Sequence, residues 1–213
     1  MQVTTQPIIR PMARLVGTGP ALGTTAIPIT TKRLLIDLPS RQVAKALFAM
    51  TYGPGGQSVT SKLLWNGPID VEEISVWCDK YASNDFNDGG HHWVIIQRDP
   101  IVRNGPLVMG AIGLTPGDQA GVATLGYWLG EAFWGQGYMT DAVRAVVNHG
   151  FGVLNLSRIE ACAFTTNPAS SAVLKKVGFE PEGIRRGSAY KYGEWIDQHV
   201  WAALRTDLDS AED

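Results

Sequence analysis

One short segment of the sequence, WLGEAFWGQGYMTDAV at residues 128–143, carries residue types that favour anion binding. Gly135 and Gly137 lie two positions apart, between a strand-like run and a helix-like run. When a strand ends in a Gly-x-Gly turn that opens a helix, several backbone N–H groups point outward at the positive end of the helix dipole. Glycine suits this position because a Cβ would keep a phosphate group away from the amides. A tight turn without a ligand remains the alternative.

Two common nucleotide-binding motifs do not fit this segment. A P-loop needs a lysine directly after its last glycine, and no lysine follows Gly137. A dinucleotide-binding motif needs a glycine three residues further on, where the chain has Thr140. The sequence excludes the common nucleotide folds more firmly than it identifies a ligand.

The composition is that of an ordinary globular protein. Hydrophobic residues make up 45% of the 213 residues and charged residues 18%. The 18 Lys and Arg against 20 Asp and Glu give a net charge of −2, which predicts neither a nucleic-acid nor a membrane partner. The sequence has no run of 18 apolar residues and no apolar signal-peptide core. We therefore expect a cytoplasmic protein.

The two cysteines are far apart and have no Cys or His partner at metal-ligand spacing. We expect no metal site and no disulfide framework. Cys162 alternates with small residues in RIEACAF, which favours a small buried hydrophobe over a reactive thiol.

Changes in composition along the chain predict three parts. Residues 1–30 are rich in Thr, Pro and Gly and are interpreted as an N-terminal extension. The folded domain is predicted over residues 31–206, and residues 207–213 form a C-terminal tail. The extension is interpreted as an arm rather than a domain.

Within the domain, the order of elements predicts an α/β (α+β) fold. A strand and a helix are followed by a loop at residues 52–70 and a second helix at residues 70–82. Three β-rich runs between residues 91 and 130 are separated by turn residues, which is typical of an antiparallel meander. A helix, a strand, another helix and a final hairpin complete a mixed sheet with helices on it.

Two helices in the second half have sequence signals at their ends. Thr140 is available as a cap for the helix that follows Gly137. The next helix has Asn167 as its cap, Pro168 at its first position and Gly178 as its stop.

Three segments resemble the GNAT acetyltransferases, in their RimJ/RimL-like branch: TTKRLLIDL, LGYWLGEAFWGQGYMTDAVRAVVNHGF and RIEACAFTTNPASSAVLKKVGFEPEG. In that branch a T-x-R-L strand, a GYWL…WGxGYxT loop and an NPAS…VLxKxGF helix occur in this order. The resemblance runs from about Thr31 to Thr206. It implies a GNAT-like mixed, mostly antiparallel sheet, with central strands splayed around the cofactor and helices on both faces.

The resemblance also implies that the cofactor is acetyl-CoA (coenzyme A). Backbone N–H groups at and directly after Gly135–Gly137, here called the glycine loop, would hold its pyrophosphate. Its pantetheine arm would lie between the GYWL and RIEACAF strands. The 3′-phosphate of the cofactor needs a cationic side chain nearby. We assign this contact to Lys175, with Lys176 and Arg144 as alternatives. Where relatives commonly carry Gln or Arg, this chain has Ala132. The implied cofactor-binding residues are Trp128, Leu129, Gly130, Gly135, Gln136, Gly137, Tyr138, Met139, Thr140, Asn167, Ser170 and Lys175.

Acetyl transfer to an amine needs a deprotonated amine and a proton for the departing thiolate. Many relatives supply this proton with a tyrosine seven residues after the motif asparagine, where this chain has Leu174. The RimJ/RimL-like branch instead uses a serine three residues after the asparagine, which assigns the catalytic role to Ser170 with Asn167 beside it. Ser170 can alternatively satisfy backbone groups in its helix, and Asn167 can act as a cap alone.

The sequence does not identify the general base. Some relatives carry an acidic residue where this chain has Thr124. His91 and His92 begin a strand, and a solvated strand end is the favoured interpretation. Glu72 and Glu73 can meet a cationic substrate or form the wet face of the second helix.

The sequence thus predicts an N-acetyltransferase that moves the acetyl group of acetyl-CoA to a primary amine by direct attack on the thioester. The amine belongs to a protein N-terminus or to a small molecule. The oligomeric state is open, with a homodimer as one possibility. The alternative is a non-catalytic acyl-CoA-binding sensor of GNAT fold. Trp65, Trp77 and Trp134 are interpreted as core or lid residues, or as the lining of an aromatic acceptor pocket.

Overall fold

The computed structural model describes residues 27–82, 85–87, 89–98 and 107–206. The predicted tail and all but the last four residues of the predicted extension lie outside this part of the chain. The strands are β1 (Ile29–Thr30), β2 (Leu34–Asp37), β3 (His91–Gln97), β4 (Leu107–Pro116), β5 (Val122–Leu129), β6 (Arg158–Phe164), β7 (Glu180–Lys191) and β8 (Glu194–Leu204). The helices are α1 (Ala44–Thr51), α2 (Gly53–Thr60), α3 (Val71–Tyr81), α4 (Tyr138–Gly152) and α5 (Pro168–Val177), and 3-10 turns at Arg41–Val43 and Glu131–Phe133 precede α1 and the glycine loop.

Within the described residues the strands form one eight-stranded sheet in the order β1-β2-β3-β4-β5-β6-β8-β7. Every neighbouring pair is antiparallel except β5 and β6, which are parallel. The predicted meander is confirmed as β3, β4 and β5, and the predicted final hairpin as β7 and β8. The structure therefore confirms a mixed, mostly antiparallel sheet.

The parallel pair β5 and β6 separates soon after it begins. Only Val122–Thr124 of β5 pairs with β6, at positions 158–160. Beyond this point β5 continues along β4 to Leu129, whereas β6 continues along β8 to Phe164. The predicted splay of the central strands is confirmed, and it opens a gap in the middle of the sheet.

Helices cover both faces of the sheet, as predicted, because side chains alternate along its central strands. On β3, Trp93 and Ile95 belong to the core that contains α4 and α5 residues. Val94 and Ile96, between and after them, belong to the core that contains α1 and α3 residues. Burial of such side chains contributes roughly 1.5–3 kcal/mol each, so both helical layers are held against the sheet.

The structure differs from the sequence prediction in two places, one additional helix and the start of the sheet. The segment predicted as a loop at residues 52–70 contains helix α2. A Cβ on Gly56 would lie 2.2 Å from the carbonyl carbon of Thr51, so this glycine allows α2 to pack directly against the end of α1. The sheet also begins two residues before the predicted domain, because Ile29 and Thr30 pair with β2.

Candidate active site

The glycine loop ends directly at the first residue of α4. Gly135 and Gly137 have φ values of +72° and +79°, a left-handed conformation that favours glycine. Gly137 is the N-cap and offers no side chain to the helix. The first bond within α4 runs from the Asp141 amide to the Gly137 carbonyl at 3.1 Å. The first-turn amides before it have no acceptor within the helix, and they belong to Tyr138, Met139 and Thr140.

This geometry corrects the predicted role of Thr140 as a cap. The helix begins at Tyr138, so Thr140 lies inside its first turn. Its amide faces the same end of the helix as those of its two predecessors, where the dipole favours a negative charge.

Arg33, directly before strand β2, forms hydrogen bonds that hold the glycine loop. Its Nε donates to Asp141 at 2.8 Å, and its Nη1 donates to the Gln136 carbonyl at 2.9 Å. Its guanidinium also lies 4.7 Å from the centre of the Tyr138 ring. The pairing compensates the charge of Asp141 in the first turn of α4, which otherwise repels an incoming anion. Sequence reasoning missed this role because more than a hundred residues separate Arg33 from the loop.

A cavity of about 570 Å³ extends from the glycine loop to α5. Within the described residues, β5 beyond Thr124 has no strand partner on the side of β6, and this stretch lines the cavity. The predicted residues that line it are Trp128, Leu129, Gly135, Gly137, Tyr138, Met139, Thr140, Asn167 and Ser170. The volume is in the range of cofactor sites, and the first-turn residues of α4, whose amides have no acceptor within the helix, line the cavity together with this stretch of β5. The residues present therefore fit acetyl-CoA, and we call this cavity the cofactor cavity.

Three predicted cofactor residues lie outside the lining of this cavity. Gly130 is buried, and a Cβ there would lie 2.6 Å from the Met50 sulfur. The Gln136 side chain turns back to donate to the Ala132 carbonyl at 2.9 Å. Lys175 is exposed and does not line the cavity, whereas Lys176 and Lys62 do.

Ser170 is in contact with a tyrosine that sequence reasoning did not connect with it. The Tyr127 hydroxyl lies 2.9 Å from Ser170 Oγ and donates to the Ser170 carbonyl at 3.2 Å. Burial raises the pKa of Tyr127 to about 12, so this hydroxyl keeps its proton at neutral pH. Asn167 caps α5 as predicted, accepting from the Ser170 amide at 3.4 Å. The cap and the cavity lining occur together at Asn167.

A second cavity, of about 450 Å³, lies on the α1 and α3 side of the sheet. It is the candidate acceptor cavity, and most of its lining is apolar. Among the residues that line it are Leu47, Trp65, Glu73, Ile74, Trp77, His92 and Gly113. It shares five lining residues with the cofactor cavity: Leu63, Leu64, Gly126, Tyr127 and Trp128. The two cavities therefore meet at β5, beside the gap between β5 and β6.

The structure separates the two histidines that begin β3. His91 is fully buried and lies against Phe86, Trp93 and His149, so the interpretation as a solvated strand end is wrong for this residue. His92 lines the acceptor cavity, and its Nε2 lies 3.1 Å from the Gly89 carbonyl. Burial lowers the pKa of His92, which keeps its ring neutral at pH 7.

The acidic pair on α3 is also divided. Glu73 lines the acceptor cavity and accepts from the Ile69 amide at 2.8 Å. Glu72 forms an exposed ion pair with Arg41 at 3.2 Å. Thr124, the position where relatives sometimes carry an acid, lines the cofactor cavity.

The expectation that Cys162 is buried is wrong. Ala161 and Ala163 on either side of it are buried in the core, whereas Cys162 is exposed and lines the cofactor cavity. The period of two along β6 places Cys162 on the opposite face, beside the gap between β5 and β6. Partial burial nevertheless raises the pKa of its thiol.

The described residues contain no group of three or more His, Cys, Asp or Glu side chains that could hold a metal ion. In the same part of the chain, the helices are too short or too polar to cross a membrane.

The family model described as "Acetyltransferase (GNAT) domain" matches residues 33–180. The uncharacterized N-acetyltransferase YoaA of Bacillus subtilis (strain 168) is 28% identical over 177 residues, 83% of this chain and 96% of its own length. The ribosomal protein uS5-alanine N-acetyltransferase of Escherichia coli (strain K12) is 34% identical over 82 residues, 38% of this chain and 42% of that enzyme.

A solved structure of RimL, a ribosomal L7/L12 alpha-N-protein acetyltransferase in complex with coenzyme A, has a TM-score of 0.72 and 20% identity. The similarity covers 84% of this chain and 98% of RimL, and at this identity it shows the fold alone.

Together, the splayed parallel strands, the glycine loop and the family match define an acetyl-CoA-dependent N-acetyltransferase. The chain belongs to the GNAT acetyltransferase family.

Proposed function

We propose that the protein transfers the acetyl group of acetyl-CoA to a primary amine by direct attack of the amine on the thioester. One observation carries the proposal: the cofactor cavity and the acceptor cavity share Gly126, Tyr127 and Trp128 on β5. An amine in one cavity thus reaches an acetyl group in the other without a covalent enzyme intermediate. Placing both reactants in contact removes much of the entropic barrier to their reaction.

The cofactor side of the reaction rests on backbone groups. Acetyl-CoA supplies an acetyl group activated as a thioester. The unused amides at the start of α4 would hold its pyrophosphate, and β5 beyond Thr124 offers backbone groups to its pantetheine arm. Lys176 and Lys62 line the cavity and can meet the 3′-phosphate, and the assignment to Lys175 stays a prediction.

The proton for the leaving sulfur is assigned to Ser170 together with Tyr127. The Tyr127 hydroxyl carries a single proton, so it donates either to the Ser170 carbonyl or to Ser170 Oγ. When the Tyr127 hydroxyl donates to Ser170 Oγ across 2.9 Å, the serine proton is available to the sulfur. The tyrosine then compensates the charge that develops on the serine oxygen. Asn167 fixes the first turn of α5 in which Ser170 lies.

Amine-dependent thiol release tests the proposed function. Acetyl-CoA is offered with N-terminal peptides, polyamines, aminoglycosides and aromatic amines, and both free thiol and N-acetylated amine are measured. The proposal predicts one thiol released for each N-acetylated amine. Tight acetyl-CoA binding in calorimetry, with no thiol release for any amine, would instead establish the acyl-CoA sensor.

A further inference from the structure

We propose that the acceptor cavity takes a small primary amine that carries a flat apolar ring, that is, an arylalkylamine. The proposal rests on the acetyl transfer proposed above and adds the chemical class of the acceptor.

Flat aromatic rings form part of the walls of the acceptor cavity. Three indole side chains line it, those of Trp65, Trp77 and Trp128. Leu47 and Ile74 add aliphatic surface from α1 and α3. Aromatic rings pack favourably against other flat apolar groups, in offset or edge-to-face arrangements. This lining favours a ring-bearing acceptor over a purely polar one.

The size of the cavity indicates a small molecule. Its volume of about 450 Å³ lies in the lower part of the range of small-molecule sites, roughly 300–1,000 Å³. A single ring system with a short alkyl chain is of this scale. A peptide N-terminus needs in addition a groove that continues over several residues.

The charges around the cavity indicate one cationic group rather than several. Glu73 is the one carboxylate among the described residues that line it, and no Lys or Arg is among them. A carboxylate oxygen accepts more than one hydrogen bond, so Glu73 can attract an ammonium group while it holds the Ile69 amide. A polyamine or an aminoglycoside carries further charges that would lie unpaired against the tryptophans.

Contacts within the protein position two of these tryptophans. Lys191 is 3% exposed, and its Nζ donates to the Trp65 carbonyl at 2.8 Å. The ring of Trp77 lies 5.5 Å from that of Tyr81 and stands edge-on to His92 at 6.1 Å. A preformed cavity selects its ligand by shape, because little ordering is needed on binding.

Two glycines keep the sheet floor between these walls and the cofactor cavity open. Gly113 pairs with His92 on one side and with Gly126 on the other, and both glycines line the acceptor cavity. A Cβ on Gly113 would lie 2.4 Å from His92 Nδ1, and a Cβ on Gly126 would enter open space. An amine on a short alkyl chain can therefore reach across Gly113 and Gly126 to the gap between β5 and β6, while its ring stays between the tryptophans.

Steady-state kinetics with matched amines test the proposal. The panel is 2-phenylethylamine, tryptamine, n-butylamine, spermidine and a short Ser-initiated peptide. We expect the two arylalkylamines, 2-phenylethylamine and tryptamine, to have the highest kcat/KM. Trp77→Leu should raise KM for tryptamine about tenfold and KM for n-butylamine far less. The acetyl-CoA affinity should not change, because Trp77 does not line the cofactor cavity. Trp65→Leu serves as a second variant should Trp77→Leu unfold.

The acidic pair on α3 supplies the control for charge. Glu73→Gln should raise KM for the two arylalkylamines about tenfold. Glu72→Gln should not, because Glu72 pairs with Arg41 and does not line the cavity. A higher kcat/KM for the peptide or for spermidine would overturn the arylalkylamine assignment and leave acetyl transfer intact. Absence of transfer to every amine would instead overturn the proposed function itself.

Discussion

The contact between Tyr127 and Ser170 leads to a prediction about a pair of variants rather than about either residue alone. Tyr127→Phe and Ser170→Ala each remove one of two hydroxyl groups that lie 2.9 Å apart. If Ser170 protonates the leaving sulfur and Tyr127 supports it, each single change disables the same function. The double variant should then be no slower than either single variant.

The size of the effect follows from the chemistry of the pair. One positioned acid–base group contributes roughly 10²–10⁴-fold to a rate. Since burial raises the pKa of Tyr127 to about 12, the pair is a weak acid, and the lower end of that range applies. We expect kcat to fall about 100-fold in each single variant and about 100-fold in the double variant, where independent roles would give about 10⁴-fold. The affinity for acetyl-CoA should hardly change, because the proton is needed only as charge develops on sulfur.

Stability measurements separate catalysis from folding. Loss of the Tyr127 hydroxyl leaves Ser170 Oγ without this partner, which costs about 1 kcal/mol and lowers Tm by roughly 2–4 °C. Ser171→Ala is the matched control, because Ser171 Oγ is buried without a hydrogen-bond partner in the described part of the chain. Near-normal kcat in Ser170→Ala, or fully multiplicative losses in the double variant, would refute the shared role.

Three further predictions concern the cofactor cavity and the core. Gly137→Val should reduce acetyl-CoA affinity at least tenfold in calorimetry, since φ is +79° at this position and a side chain would stand before the first-turn amides; unchanged affinity in a folded variant would remove the loop from the site. Coenzyme A should protect Cys162 from alkylation, which proceeds faster above pH 9 because the thiol pKa is raised, while buried Cys78 stays unmodified; equal rates with and without coenzyme A would contradict the placement. Thermal stability should fall as pH decreases from 7 to 5, because burial lowers the pKa of His92 and His149 in the folded state, so the unfolded chain takes up protons first near pH 6.5; His149→Asn should flatten this dependence, and an unchanged slope would exclude His149 as its source.

The features that the sequence predicted best are local ones. The glycine loop, the cap at Asn167, Pro168 at the first position of α5 and the stop at Gly178 depend on neighbouring residues, and the structure contains each of them. The meander followed from turn residues between alternating β-rich runs. These signals act over a few residues, so they can be read directly along the chain.

The features that the sequence missed depend on packing between distant segments. Tyr127 and Ser170 are 43 residues apart, and Arg33 and Asp141 are 108 apart. Helix α2 was missed because its glycines disfavour helix locally, whereas Gly56 makes the close contact with α1 possible.

Burial was misjudged at two residues where the sheet departs from the regular pattern. Cys162 was expected inside the core, but it is exposed on the other face of β6, beside the gap between β5 and β6. His91 was expected at a wet strand end, but Phe86 and α4 cover it. The cover over His91 and the gap beside Cys162 both result from packing between elements, so alternation along a strand could not indicate either of them.

The junction of the two cavities at Gly126 is the central feature of the proposed transfer, and Gly126→Val tests it most directly. Gly126 has no left-handed φ, and a Cβ there meets no atom within 4 Å, so valine suits the strand and fills the junction. Thr124→Val is the comparison variant, because Thr124 lies two residues earlier on the same face of β5 and lines the cofactor cavity but not the acceptor cavity.

The measurement is kcat/KM for the best amine, together with acetyl-CoA affinity and Tm for each variant. We predict that Gly126→Val lowers kcat/KM about 100-fold or more, with acetyl-CoA affinity and Tm close to those of the parent and of Thr124→Val. Undiminished kcat/KM in a folded Gly126→Val protein that binds acetyl-CoA would contradict transfer through this junction.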